Sequence, residues 1–159
     1  MEQKNLSNWL KCILIGIGIL GLFFYTVVIP IFGIDLRTQY PEFSNRFWPW
    51  LAFIMVSGIP CFIVLSLSWK IASNIGRNQS FSEVNAKLLK LISGLSAGDA
   101  VFFFIGNILL LLFNMSHPSV VLVSFVVVFA GIAVSVTSAV LSYLVKKAAI
   151  LQDQSDWTI

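Results

Sequence analysis

Four apolar runs divide this chain of 159 residues, and each is long enough to cross the hydrocarbon core of a membrane. A spanning helix needs about 20 mainly apolar residues, because its backbone must satisfy its own hydrogen bonds where water is absent. Asp99 and Asn107 interrupt the third run, yet without this span the number of spans would be odd and the apolar residues 102–113 would be unexplained. We therefore predict four transmembrane helices, at residues 12–34, 47–69, 88–113 and 118–145.

The composition excludes a soluble globular protein. Hydrophobic residues make up 58% of the chain and charged residues 11%, with a mean hydropathy of +0.91, whereas an ordinary soluble domain has about 25% charged residues. We predict an all-α, polytopic membrane protein that forms a single domain, with its four helices in a compact antiparallel bundle. The first apolar run lacks a small-residue cleavage site and is too long for a cleaved signal peptide.

The positive charges predict the orientation of the chain. Lys and Arg are enriched on the cytoplasmic side of short loops, and eight of the ten Lys and Arg residues fall before span one, between spans two and three, or after span four. We expect both termini and the middle loop to be cytoplasmic. Since the cations cluster at span ends rather than in a basic stripe, we expect no direct nucleic acid binding. The eight are Lys4, Lys11, Lys70, Arg77, Lys87, Lys90, Lys146 and Lys147.

The middle loop carries a helix-start signal. Ser80 and Glu83 fit a capping box, which predicts a helix that begins at about Phe81 or Ser82 and runs as an amphipathic segment over residues 81–90 into span three. This segment is either a docking face for a cytoplasmic partner or anionic headgroups, or a set of charges that only fixes the topology. The candidate contact residues are Arg77, Phe81, Ser82, Glu83, Asn85, Lys87 and Lys90.

An acid, Asp99, lies inside span three. It comes about eleven residues into the span, or roughly 16 Å, which places it near the membrane midplane. Ionisable residues at this depth are costly, and together with Asn107 it forms a candidate intramembrane polar site. Without a countercharge we expect a neutral acid that donates a hydrogen bond to a hydroxyl, an amide or a backbone group. The candidate hydroxyls are Thr26, Ser57, Ser66, Ser135, Thr137 and Ser138.

Three interpretations of Asp99 remain open. It forms a proton or cation site, a polar clamp between helices, or a contact to another membrane subunit. Apart from Lys90 at the cytoplasmic end of span three, no second acid or base occurs inside any predicted span, and a proton relay usually needs several such groups.

Small residues and prolines predict packing and bends. Gly131, Ser135 and Ala139 recur at every fourth position of span four, which indicates a close helix contact within the chain or between copies of it. A second such step, Gly94 and Gly98, occurs in span three. We expect helices to bend or end at Pro30 and Pro60.

The sequence contains few residues that could carry out enzyme catalysis. Cys12 and Cys61 lie in different spans without a C-x-x-C motif, and we interpret them as buried small hydrophobic residues. His117 has no neighbouring ligand residues and is interpreted as a turn residue. No catalytic motif, metal site or cofactor site is predicted, so we expect a non-enzymatic protein.

The first outer loop, residues 35–46, places Tyr40 and Phe43 between two spans. We interpret it as a connector whose aromatic side chains anchor in the headgroups. The alternative is a small lid or ligand contact.

The segment GRNQSFSEVNAKLLKLI resembles the signature of a bacterial four-helix membrane family of unknown function, the YoaS-like group. The resemblance implies a location in the bacterial cytoplasmic (inner) membrane and, because members are often encoded beside a small Cro/C1-type helix-turn-helix regulator, a membrane partner for a transcription factor. It carries no catalytic residues across. The matching residues are Gly76, Phe81, Ser82, Asn85, Leu89 and Ile92.

Three functions are consistent with these features. The first is a regulatory membrane protein that contacts a small cytoplasmic DNA-binding protein through residues 76–90. Its other expected partners are membrane lipid and further copies of the same chain. The second is a small transporter or proton-coupled subunit that uses Asp99. The third is a bacteriocin-immunity or membrane-stress resistance protein that acts through the outer loop.

Overall fold

The computed structural model describes residues 3–39, 41–116 and 118–156. Within these residues the chain is helical and contains no strand, as the sequence predicts. Four helical stretches are long and apolar enough to cross a membrane, so the count of four spans is confirmed. The elements are α1 (Gln3–Phe23), a π-helical turn (Phe24–Val28), α2 (Ile29–Gln39), a 3-10 helix (Pro41–Arg46), α3 (Phe47–Gly76), α4 (Glu83–Leu112) and α5 (Pro118–Asp156).

The helices are longer than the apolar runs from which they were predicted. α3 and α4 have 30 residues each, or about 45 Å at 1.5 Å per residue, against a hydrocarbon core of about 30 Å. α5 has 39 residues and ends at Asp156, where the predicted span ends at residue 145. An apolar run marks only the part of a helix that lipid surrounds, and the helix itself continues into the polar interface.

Consecutive spanning helices pack against each other in antiparallel pairs. Ser7 of α1 donates a hydrogen bond to the carbonyl oxygen of Ala72 in α3 (2.6 Å), and Asn74 of α3 donates to Asn85 of α4 (2.7 Å). The α4 and α5 helices form the most extensive interface. Among the described residues, α1 forms no extensive interface with α4 or with α5. The four spans therefore pack in chain order.

The small residues of α5 are used within the chain. A Cβ atom built on Gly131 would lie 3.2 Å from Cβ of Ala100 in α4, and the Ser135 hydroxyl donates to the carbonyl oxygen of Ser93 (2.9 Å). The intrachain interpretation of this stripe is confirmed at these positions. In α4 the expected close approach at Gly94 and Gly98 is not made, because a Cβ on either glycine would meet no atom within 4 Å.

The prolines do not end the helices in which they lie. Pro60 is an interior residue of α3, which continues to Gly76. Pro30 lies in the first turn of α2, directly after the π-helical turn, where the Ile29 amide donates to the carbonyl oxygen of Phe24. Proline lacks an amide and its ring crowds the preceding turn. The wider π turn accommodates it, so that α1 and α2 form one continuous helical span.

Candidate functional sites

The basic end of the molecule comprises the start of α1, residues 77–82 and the C-terminal end of α5. Here α4 begins at Glu83, and its N-cap is Ser82, whose hydroxyl accepts a hydrogen bond from the Asn85 amide (3.3 Å). The predicted cap, Ser80, was wrong, because its hydroxyl instead donates to the Gln3 side chain (3.1 Å). Ser82 is the last residue with extended dihedral angles, so its side chain is the one that reaches the amides of the first turn.

The Asn85 latch is a polar network that joins α3, the loop and α4. Asn85 is only 1% exposed, and its oxygen accepts from the Asn74 side chain (2.7 Å). Its amide nitrogen donates to the carbonyl oxygens of Gln79 (2.9 Å) and Ser80 (3.1 Å). Both donors and one acceptor of this side chain are therefore used. Asn85 therefore belongs to the predicted contact segment but is buried beneath it, where it holds the loop in place and cannot contact a partner protein.

The other charged and aromatic members of the contact segment face outward. Phe81 is 58% exposed, and Arg77, Glu83, Lys87 and Lys90 are also exposed. The Lys87 ammonium lies 3.6 Å from the Glu83 carboxylate, and both side chains are largely accessible, so this pair contributes little to stability. The outward surface of the segment therefore carries three cations, one carboxylate and one large aromatic ring.

The residues that carry the family resemblance are mostly fold-forming. A Cβ on Gly76 would lie 2.8 Å from the Ser7 hydroxyl, so glycine here lets α1 pack closely on the end of α3. Ser82 caps α4, Asn85 forms the latch and Ile92 is 4% exposed in the helix interface. Phe81 is the exposed exception.

Asp99 lies near the middle of α4, 16 residues after Glu83 and 13 before Leu112. Its Oδ2 atom contacts the thiol of Cys61 in α3, with the Sγ atom 3.8 Å away. Its Oδ1 atom is buried and has no hydrogen-bond partner. The carboxyl group therefore has one weak partner and one vacant acceptor position inside the membrane-spanning region.

Among the described residues, the structure does not join Asp99 to the hydroxyl groups expected as its partners, and its one hydrogen-bond partner is the Cys61 thiol. Thr26, Ser57 and Ser66 each donate to a carbonyl oxygen of their own helix, at 2.7 to 2.8 Å. A hydroxyl three or four residues along a helix reaches such a carbonyl without leaving its own backbone, and this local bond competes with interhelical ones.

Two residues that the sequence analysis did not place at the site lie beside Asp99. Cys61 is exposed rather than buried, and its thiol touches the carboxyl group. The Tyr25 ring packs against Gly58 of α3, next to Ser57, and lies within electrostatic range of Cys61 and Asp99. We call Tyr25, Ser57, Cys61 and Asp99 the Asp99 cleft. The spacing of four between Ser57 and Cys61 places them on one side of α3 and was the available signal; nothing in the sequence indicated Tyr25.

The π-helical turn positions Tyr25 in the Asp99 cleft. Tyr25 lies within this turn, and its ring packs on Gly58, where a Cβ would lie 2.7 Å from the Cε1 atom. Phe62 adds an edge contact at 6.1 Å between ring centroids. The α1 and α4 helices both pack on α3 and, over the described residues, form no extensive interface with each other. Cys61 of the Asp99 cleft is exposed at the helix surface.

Asn107 does not join Asp99. It is 3% exposed, and its side-chain amide donates to the carbonyl oxygen of Phe103 in the same helix (2.8 Å). The structure therefore separates the two members of the predicted polar site. Of the other predicted residues, His117 and Tyr40 lie outside the described residues, as does the side chain of Phe43. Among the residues that the structure describes, no three His, Cys, Asp or Glu side chains come together as a metal site.

Comparisons with known proteins agree with the resemblance in the 76–92 segment. A family model described as "Protein of unknown function (DUF2975)" matches residues 31–159. The uncharacterized membrane protein YoaS of Bacillus subtilis (strain 168) is 26% identical over 149 residues, which cover 92% of this chain and 92% of that protein. No solved structure matches the chain. The similarity to YoaS is confirmed, and this relative too is named as a membrane protein.

Proposed function

The chain belongs to the DUF2975 family of membrane proteins of unknown function, and from this premise we propose that it is a non-enzymatic protein of the bacterial inner membrane whose basic end docks a cytoplasmic protein. The partner that the family resemblance implies is a small helix-turn-helix DNA-binding regulator. The observation that carries the proposal is the exposed face of residues 77–90, which the buried Asn85 latch holds in one conformation.

The charge distribution supports a cytoplasmic position for this end. Eight of the ten Lys and Arg residues lie at or near the basic end because the antiparallel packing brings the start of α1, the α3–α4 loop and the end of α5 together. Positively charged loops remain on the cytoplasmic side during insertion. The start of α1, the end of α5 and the loop at 77–82 are then accessible to a cytoplasmic protein.

The chemistry of the docking face favours an acidic partner surface with an apolar pocket. Arg77, Lys87 and Lys90 supply exposed positive charge, and Phe81 supplies a ring that is 58% exposed at the same end. Aromatic anchors surrounded by charged residues are typical of protein interfaces, in which the ring supplies affinity and the charges steer association.

Co-purification tests this proposal. The double variant Lys87→Glu with Lys90→Glu should lose a regulator that co-purifies with the wild-type protein from membranes, because it reverses the charge of the docking face. Lys146→Glu with Lys147→Glu is the matched control, since these two lysines are also exposed near the same end but belong to α5. Equal retention of the regulator by both double variants would reject the docking face.

A second candidate function, transport coupled to a proton or cation, is favoured by one observation. The Oδ1 atom of Asp99 is buried without a partner near the middle of α4, and a vacant acceptor there is a position where a cation or proton can bind. Asp99→Asn should abolish ion-coupled flux in liposomes, whereas Asp153→Asn removes the same charge from the exposed end of α5 and should preserve it. Retained coupling in Asp99→Asn would remove this residue from transport.

A further inference from the structure

The geometry of the Asp99 cleft points to a ligand, and we propose that it binds a lipophilic organic monocation with Asp99 as its counter-ion. This proposal names a ligand class for the site of the second candidate function. It concerns binding alone, so a failure of transport with binding retained would leave it standing. It is independent of docking at the basic end.

The vacant hydrogen-bonding position of Asp99 is the first reason. Oδ1 is buried without a partner, and Oδ2 has only a thiol at 3.8 Å. A polar group that is buried and unsatisfied is costly, and it is costlier where the surroundings are hydrocarbon. The described residues bring no Lys or Arg into contact with this carboxyl group: its charged or polar neighbours are Cys61, Tyr25 and, beside Tyr25, Ser57. A proton or a cation from outside the chain therefore neutralises this acid.

The position of the cleft is the second reason. Tyr25, Cys61 and Asp99 lie near the middle of the spanning stretches Gln3–Gln39, Phe47–Gly76 and Glu83–Leu112. An inorganic cation reaches this depth only by losing its hydration shell, and the described residues bring together no group of acids, cysteines or histidines that could hold a metal ion. An organic cation with a large apolar body partitions into hydrocarbon far more readily, because burial of its apolar surface offsets the desolvation of its charge.

The opening and the aromatic wall are the third reason. Cys61 is exposed, and the described residues of α1 and α4 form no extensive interface with each other, so we expect a ligand to reach Asp99 from the lipid along the thiol side of the cleft. The ring of Tyr25, fixed by its contact with Gly58, supplies an aromatic surface near the carboxyl group. Aromatic rings attract organic cations through the ring quadrupole, and the effect grows when water is excluded.

Binding of tetraphenylphosphonium to the full chain in nanodiscs tests the proposal. Wild-type protein should bind this cation, measured by scintillation proximity with the radiolabelled compound, and should not bind uncharged triphenylmethane with similar affinity. Asp99→Asn should weaken binding about tenfold or more, since the charge partner is lost in a medium of low dielectric constant. Asp153→Asn, which removes one exposed negative charge from α5, should bind as the wild type does.

A second measurement avoids any change at Asp99. Because the Cys61 thiol lies 3.8 Å from Asp99, bound tetraphenylphosphonium should slow the reaction of Cys61 with a membrane-permeant maleimide in a Cys12→Ser background. Mass spectrometry of the labelled protein follows this rate. No binding by the folded wild-type protein, equal binding by Asp99→Asn, equal affinity for triphenylmethane, or unchanged labelling of Cys61 at saturating cation would each overturn the proposal.

Discussion

The two polar regions of this protein differ in how completely their hydrogen bonds are satisfied. In the Asn85 latch, a side chain that is 1% exposed uses both amide protons and its oxygen. In the Asp99 cleft, one carboxylate oxygen is buried without a partner and the other contacts only a thiol. A satisfied buried group stabilises one conformation, whereas an unsatisfied one retains the capacity to bind something else. The latch is therefore part of the fold, whereas Asp99 retains an unused acceptor.

The largest loss of stability is expected when the Asn85 latch is removed. Asn85→Ala should lower the free energy of unfolding by about 3 kcal/mol, because it leaves Asn74 and two loop carbonyl groups without their partner. Thermal unfolding of the detergent-solubilised protein, followed by circular dichroism, measures the change. Asn5→Ala, at an exposed position of α1, is the control and should have little effect. Equal melting temperatures for the two variants would contradict a stabilising latch.

The next effect concerns the helix interface that carries Asp99. In α4, a Cβ on Gly106 would overlap the ring of Phe53 in α3, whereas a Cβ on Gly94 would meet open space. Gly106→Ala should therefore destabilise the protein by about 2 kcal/mol through overpacking, and Gly94→Ala should stabilise it by about 0.5 to 1 kcal/mol through helix propensity. The two melting temperatures should shift in opposite directions. Shifts of the same sign would mean that α3 and α4 pack less closely than the structure shows.

A smaller effect distinguishes the observed helix cap from the one predicted by the sequence motif. Ser82→Ala should cost about 1 kcal/mol, because the Asn85 amide loses its side-chain acceptor. Ser80→Ala removes only an exposed bond to Gln3 and should cost less than about 0.5 kcal/mol. Hydrogen exchange of the first-turn amides of α4 provides the residue-level measurement. Faster exchange in Ser80→Ala than in Ser82→Ala would restore Ser80 as the cap.

The smallest change in stability is expected when Asp99 is replaced. Asp99→Asn should leave the free energy of unfolding unchanged or raise it by up to about 1 kcal/mol, because the carboxyl group has little to lose in hydrogen bonding. Thermal unfolding of Asp99→Asn and Asn85→Ala, measured under the same conditions, compares the two regions directly. A loss of about 2 kcal/mol or more would assign Asp99 to the fold as an interhelical clamp and would erase the difference between the two regions.

Particular residues show how far the sequence could predict the fold. The four spanning helices could be predicted from the apolar runs alone. A chain segment in lipid must form its own backbone hydrogen bonds, so an apolar run of sufficient length is expected to be a helix. The start of α4 was predicted within two residues, but the cap was assigned to Ser80 because two serines stand close together and both fit a common motif. Only the backbone angles at Ser82 decide which hydroxyl meets the free amides.

The Asp99 site was predictable only in part. An acid in an apolar span was visible in the sequence, and its position near the middle of a helix followed from counting residues. Its neighbours were not visible, since contact between Cys61 and Asp99 joins residues 38 positions apart. Tyr25 reaches the cleft because a π-helical turn precedes Pro30 and because Gly58 leaves room for its ring. Both conditions depend on how α1 packs on α3.

The sequence by itself determined that this is a four-span, all-helical membrane protein with its positive charge gathered at one end, because hydrophobic length and charge position act locally along the chain. Tertiary structure alone decided that Asn85 is a satisfied latch and that Asp99 contacts Cys61 and keeps one oxygen without a partner. Whether a polar atom finds a partner depends on the register and rotation of neighbouring helices, and side chains distant in the sequence set both of these.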